Sequence, residues 1–477
     1  MIAMDNKVET KSASASHSRT IRRTGRHQLA VELSETVKLA LPMVLVQLGQ
    51  IAMMMTDVAF IGQMGDEALA ATALAGRVYL VSFTFGAGLV APITMLTAQA
   101  FGADNLALVR RSLRMGLWVA LMLSLPVIAF ALRGEQLLFA FDQEPDLAWL
   151  AQQYLFGLSW GVAPALSFLA LRNFMGAVKR PEPILWITLA AIPVNALLAY
   201  LLIYGKLGLP RLELFGAGLA TSLVNCGTFL AGLWFTTRRP FREYQVLAQF
   251  WRFDWLLFRQ LIVTGTPISI ASLIGYGMIS AAALLSGWIG INALAAFQIV
   301  LQVAAILFMI SFGISTAATV RVSQAVGRND GVGVKRAGLT AIMLGMVIAT
   351  ILSLAVIPAR FAIVALFLGE SAGDPDTTIG LAVELLLVSA TLFITDAVGS
   401  IAAGGLRGIR DTRVPLLLDV IAYWLIGFPF CYILGFKMDL GAIGIWIGLS
   451  VGTTVRSIVL VLRFRLLANK LAFQSYT

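Results

Sequence analysis

The chain has 477 residues, 59% of them hydrophobic and only 13% charged, with a formal net charge of +10. A soluble protein of this length carries roughly twice that charged fraction, so the composition excludes a soluble globular chain and points to a polytopic membrane protein. Both histidines, His17 and His27, lie in the N-terminal stretch, which excludes a His-ligated zinc site or a His general base inside a membrane part.

Residues 1–35 are polar and rich in Ser and Arg, with no apolar run after the basic residues. That excludes a cleaved secretory signal and favours a disordered cytoplasmic tail over an organelle transit peptide. Twelve apolar spans then follow, near 36–61, 74–100, 112–132, 148–170, 184–204, 214–236, 260–288, 292–320, 338–359, 380–405, 414–436 and 441–462. The first six make an N-lobe over 36–236 and the last six a C-lobe over 260–465, with a short tail at 466–477. The linker at 237–259 carries TRRPFREYQVLAQFWRFDW, whose arginines and aromatics predict a helix lying on the membrane surface. Pro92, Pro126, Pro164, Pro193, Pro267 and Pro429 punctuate the spans and predict bends. Cys226 and Cys431 lie in apolar stretches without a CxxC motif and read as small core residues.

The two lobes are copies. GQMGDEALAA (Gly62–Ala71) returns as GWIGINALAA (Gly287–Ala296), and the 225-residue offset holds from Pro42–Arg111 to Pro267–Arg336 with 18 identities in 70 positions. Pro42 meets Pro267, Gly88 meets Gly313, Gln99 meets Gln324 and Gly102 meets Gly327. Later, Gly176 and Pro183 are echoed by Gly408 and Pro415. Six spans per copy bring both copies into the membrane from the same side, so the halves are related by an axis along the membrane normal, with a path between them. The expected fold is all-α, with twelve transmembrane helices in two six-helix pseudo-symmetric lobes.

Charge placement gives the orientation. Of the 35 Lys and Arg residues, 28 fall on the side of the termini and five (Arg133, Lys206, Arg211, Arg360 and Lys437) on the other, while Arg77 and Arg456 lie within spans. The positive-inside rule then places both termini in the cytoplasm. The same asymmetry accounts for the basic pI without nucleic acid.

Acids inside spans are costly, about 2.5–3.5 kcal/mol on insertion scales, and call for a functional reading. Asp57 in the first span and Asp396 in the tenth are the main candidates. The repeat sharpens Asp57, whose counterpart is Ala282. A buried carboxylate can hold a proton, a sodium ion or an organic cation in competition, which couples one flow to another. Cross-helix bonding is the alternative for both acids. Glu384 and Asp419 lie near predicted helix ends and read as structural. Arg77 either pairs with an acid in the bundle or snorkels outward, and Arg456 does likewise toward the inner side. The sequence leaves both open.

These residues resemble the multidrug and toxic compound extrusion (MATE) transporters, in particular their NorM-like branch. The resemblance spans about 36–465. It rests on Pro42, Gln47 and Asp57, on GQMGDEALAA, on Pro92 through TAQAFG, on PVNALLAYLLIYGKLG from Pro193, and on TDAVGSIAAGGLRGIRDT from Thr395. It implies efflux of small organic cations, driven by inward proton or sodium flow, by a multi-pass bacterial inner-membrane protein with no cofactor, no enzyme activity and a monomeric state. It further implies an acidic site at Asp57, supporting polar cavity positions at Gln47 and Asn195 in the first-lobe spans, and a second-lobe cation site at Asp396 that could take sodium. Two family residues are replaced: Gly275 stands where NorM-type members carry a seventh-span Glu, and Leu392 where they carry a Tyr. The coupling ion therefore stays open between proton and sodium, with weight on Asp57. Two alternatives remain: a lipid-linked saccharide flippase, which calls for a more basic cavity, and a polytopic membrane enzyme, which calls for larger loops or a membrane histidine.

Overall fold

The computed structural model describes residues 5–140, 143–208, 210–245, 249–368 and 375–474, and among these residues it is helical with no strand. Helix α1 runs Asp5–Gly62, α2 Asp66–Gly102 and α3 Leu106–Leu132. Helix α4 is a broken span, Pro145–Ser159 and Val162–Ala177, bent by 49°. Helices α5 (Glu182–Tyr204) and α6 (Glu213–Thr237) complete the first half. The second half holds α7 (Trp255–Ile289), α8 (Ile291–Gly327), α9 (Gly331–Leu366), α10 (Thr378–Gly408), α11 (Arg413–Lys437) and α12 (Gly441–Gln474). Eleven of these spans are single helices long and apolar enough to cross a membrane, and the bent α4 pair makes the twelfth.

Local chemistry sets the ends and bends. The Asn105 side chain accepts from the Leu108 amide at 3.0 Å and starts α3, and Asp254 accepts from the Leu257 amide at 3.3 Å and starts α7. Gly205 ends α5 with φ 65°, the left-handed turn glycine tolerates best. Pro92 opens the second part of α2 at a break after Val90. Pro42, Pro126, Pro193 and Pro267 lie inside their helices. Around Pro429, α11 is wound as π-helix at Ile421–Gly427 and Ile433–Lys437.

Two expectations need correction. The stretch expected as a disordered tail (1–35) is helical from Asp5 as part of α1, and Glu32 and Thr36 on it engage Arg321 of α8. The linker is not a surface helix. Its described residues hold only a short 3-10 turn, Phe241–Tyr244, before α7 begins at Trp255. Arginine and tryptophan side chains of α3 hold it instead: Arg114 Nη1 donates to the Gln249 carbonyl at 3.0 Å and Trp118 Nε1 to the Phe250 carbonyl at 3.1 Å. Burial raises the cost of the Asp254 carboxylate, yet the Arg111 guanidinium and the Leu257 amide hold it below the ordinary carboxylate range.

Among the described residues, buried apolar clusters join the lobes at one end. Buried apolar residues form four clusters. Two of them, at the end bearing the termini, cross between the lobes: Leu257 and Leu261 of α7 join the first-lobe cluster, and Leu39, Ala40, Ala98 and Ala177 join the second-lobe one. The two clusters at the opposite end stay within their own lobes. The path between the lobes is thus closed on the termini side.

The closing contacts obey the 225-residue repeat. A Cβ at Gly88 would meet Ser269 Cα at 2.6 Å, and one at its counterpart Gly313 would meet Val44 Cα at 2.8 Å, Val44 itself being the counterpart of Ser269. Gly102 similarly lies against the backbone of Gln324, and Gly327 against that of Gln99. The two glutamines then reach across: Gln99 Nε2 donates to the Gly408 carbonyl at 2.9 Å and Gln324 Nε2 to the Ala177 carbonyl at 2.8 Å. Each caps the end of a helix in the other lobe. Gly88→Val is therefore expected to wedge α2 from α7. Labelling a cysteine placed at Ala98, which is fully buried, tests this in a chain without Cys226 and Cys431. A membrane-impermeant maleimide should react with it in the Gly88→Val protein and not in the parent. Protection in both would show that a side chain fits there.

Candidate cation sites in the two lobes

In the first lobe, Asp57 sits in the last two turns of α1, with the described helix ending at Gly62. Asn195 of α5 donates Nδ2 to Asp57 Oδ1 at 2.5 Å, and Thr221 of α6 donates Oγ1 to Asp57 Oδ2 at 3.2 Å. Three helices thus converge on one carboxylate. Asn195 is fully buried, and its Oδ1 has no hydrogen-bond partner among the described residues. An orphaned buried acceptor costs about 1–3 kcal/mol. Tyr154 of α4, 9% exposed, lies close enough to feel the Asp57 charge. About one turn nearer the helix end, Phe60 packs against Tyr200 and Tyr204, and the Tyr204 hydroxyl donates to the Phe60 carbonyl at 3.1 Å. This clamp fixes α1 against α5 and so fixes the distance between Asp57 and Asn195. No Lys or Arg pairs with Asp57 among the described residues.

Of the residues expected here, the structure brings Asn195 to Asp57 and leaves Gln47 elsewhere. Gln47 lies ten residues earlier on α1, roughly 15 Å along the axis. Its Oε1 accepts from Arg172 at 3.3 Å, and Gln50 accepts from the same nitrogen at 3.2 Å. Arg172 is thus inside α4 rather than in the loop that follows. Arg77 of α2 is exposed and pairs with no acid among the described residues. Thr221 and Tyr154 were missed. Both are single polar groups in apolar runs, and spacing alone does not tell which neighbour they face.

In the second lobe, Asp396 has a very different partner. Arg456 of α12 stands between Asp396 of α10 and Asp419 of α11, with Nη1 at 3.7 Å from Asp396 Oδ1 and Nε donating to Asp419 Oδ1 at 2.6 Å. The guanidinium also lies over the Tyr423 ring, 5.5 Å from its centre. Side chains of Arg456 and Asp419 are 9% and 6% exposed, and that of Asp396 is 20% exposed. Asp419, expected as a helix-end structural group, is therefore half of a buried ion pair, and Arg456 faces the bundle rather than the surface. Gly275 faces Tyr423, with no atom closer than 3.9 Å to where its Cβ would be. Leu392 packs into the apolar cluster of this lobe. Glu384 is exposed. Among the described residues no group of three or more His, Cys, Asp or Glu side chains is placed to hold a metal ion.

The MatE family profile matches residues 42–201 and 267–433, two segments whose starts stand 225 residues apart like the internal repeat. The chain belongs to the MatE family. This MatE chain is 56% identical over 447 residues to a "Probable multidrug resistance protein NorM" of Bradyrhizobium diazoefficiens, covering 94% of the chain and 96% of the relative. It is 53% identical to a protein of the same description from Rhodopseudomonas palustris, covering 92% of each. Its fold matches that of the eukaryotic MATE transporter AtDTX14 with a TM-score of 0.82 at 20% identity, over 94% of this MatE chain and 99% of that structure. A multidrug resistance MATE family transporter solved in an outward-facing conformation gives 0.84 at 21% identity, over 92% and 96%.

Proposed function

We propose that the protein is a multidrug efflux transporter that exports small organic cations in exchange for an inward proton or sodium ion. Its closed end faces the cytoplasm of a bacterial inner membrane, where the basic loops and both termini lie. The observation that carries the reading is the contrast between the two acids. Asp57 meets only an amide and a hydroxyl, and beside it Asn195 Oδ1 lacks a partner. Asp396 instead shares a guanidinium with Asp419. Asp57 is thus the carboxylate with room for a cation from outside, and it carries the coupling.

The chemistry follows from charge balance. A proton or sodium ion arriving from the open side neutralises Asp57 and gives the local oxygens the partner they lack. A cationic drug loses its counter-charge when that happens and is released to the same side. The lobes then reclose there and open toward the cytoplasm, where the ion leaves and a new drug binds. This is alternating access about the interlobe path. The names of the relatives support multidrug export, and the fold supports a transporter rather than an enzyme.

The test uses purified protein in proteoliposomes. A proton gradient and a sodium gradient are imposed separately, and efflux of a fluorescent cationic dye is followed. Dye movement under at least one gradient is expected, and its absence under both would overturn the reading. Thr221→Ala is expected to tighten the apparent affinity for a driving proton by about tenfold, because the lost hydroxyl donates to the charged carboxylate and one such bond is worth about that factor. An unchanged ion dependence would remove Thr221 from the site.

A further inference from the structure

The start of α3 carries Arg110, Arg111 and Arg114, and the linker brings Arg252 within electrostatic reach of them. One carboxylate, Asp254, faces this group, and Arg111 takes it in an ion pair that joins the two lobes. The other three guanidiniums have no acid among the described residues. Arg114 is 5% exposed, and both its Nε and that of Arg110 are buried without a hydrogen-bond partner. Four cations against one anion leave a surplus of positive charge in a partly buried corner, where mutual repulsion is only weakly screened.

The same corner carries a belt of apolar rings. Trp251, Phe253, Trp255 and Leu256 are 86%, 40%, 67% and 76% exposed. They are held in place because Trp118 of α3 stacks on Phe250 at 5.5 Å and meets Phe253 edge-on at 5.9 Å. Such rings prefer the headgroup level of a bilayer. The arginines beside them therefore lie at the depth of lipid phosphates, at the leaflet that faces the termini.

We propose that this corner binds an anionic phospholipid, with Arg110, Arg111 and Arg252 around its phosphate and Trp251 and Trp255 beside its glycerol and upper acyl region. The lipid supplies the negative charge that the chain itself lacks there. It also bridges α3 and α7, so its binding favours the state in which the termini side is closed. This site is separate from the acids of the transport path and does not depend on the coupling ion.

The test is native mass spectrometry of the full-length protein in detergent, with phosphatidylglycerol or phosphatidylcholine added in turn. Retention of phosphatidylglycerol over phosphatidylcholine by about tenfold is expected, since each arginine near a surface adds to anionic-lipid affinity by a similar small factor. Arg110→Gln with Arg252→Gln should bring the two lipids level. Arg252→Gln alone, at an exposed position, should narrow the preference and needs no refolding of the corner. Arg463→Gln, which removes a guanidinium paired with Asp411 elsewhere, should leave it unchanged. Equal retention of both lipids by the parent would overturn the proposal. So would a preference that survives the paired substitution, or one abolished by millimolar inorganic phosphate, which would indicate a free-ion site.

Discussion

Asp57→Asn is expected to abolish gradient-driven dye efflux while leaving a folded protein. The substitution keeps the size of the side chain, a carbonyl oxygen for the Asn195 donor, and an amide that can donate to the Thr221 hydroxyl in place of accepting from it, so α1, α5 and α6 remain joined. It removes the carboxylate charge that the proposed coupling exchanges between cations. Efflux should fall to the passive leak of empty liposomes, a loss of at least about a hundredfold, the outcome required by the proposal that coupling runs through Asp57. The measurement is dye efflux in proteoliposomes beside the thermal unfolding midpoint of the same preparation. Undiminished transport in a protein of unchanged stability would sink the assignment of coupling to Asp57. Asp57→Glu separates charge from geometry: the longer acid keeps the charge but displaces it, and slow residual efflux is expected.

Arg456→Leu is the second large effect, and it acts on stability. The guanidinium is held by two carboxylates and an aromatic ring in the second lobe. Removing it leaves Asp396 and Asp419 facing each other without compensation, and breaking a buried ion pair in this way costs about 3–5 kcal/mol. A marked fall in the unfolding midpoint is expected. Adding Asp396→Asn and Asp419→Asn should recover most of it, since an uncharged set needs no cation. Sodium provides a further readout. If the guanidinium holds the place of an external cation, sodium should raise the midpoint of Arg456→Leu and not that of the parent. A single variant as stable as the parent would show that the triad carries little energy.

The sequence made the scaffold easy to read for a physical reason. Hydrocarbon demands long unbroken apolar helices, so the spans stand out, and duplication writes the same interlobe contact twice. Gly88, Gly313, Gln99 and Gln324 stood out as repeat identities, but only the packed structure shows that these positions close the path. The site was only partly legible. Asp57 stood out because charge in a span is expensive, and Asn195 came from resemblance. Thr221 could not be placed, because a lone hydroxyl in an apolar helix satisfies itself on its own backbone, as this one also does with Ala217. Gln47 stands apart from Asp57, as ten residues along one helix already require, and its partner Arg172 on α4 could not be read from the sequence. Arg456 was undecided for the same reason as Arg77, since a long basic side chain reaches either way. Only the packed bundle shows that one meets two acids and the other none.

Part of the closure between the lobes is made of glycines set against backbone, and among the described residues Gln99 and Gln324 reach across with amides that end on carbonyls at helix termini. Main-chain atoms are the same whatever residue occupies a position. The barrier to leakage is therefore written in a part of the molecule that does not take part in recognising cargo. Residues lining the open half are free to change in size, aromaticity and polarity without loosening the seal below them. A chain of this construction can acquire resistance to a new compound by a single wall substitution while still holding the membrane's ion gradient, because selectivity and tightness have separate genetic addresses.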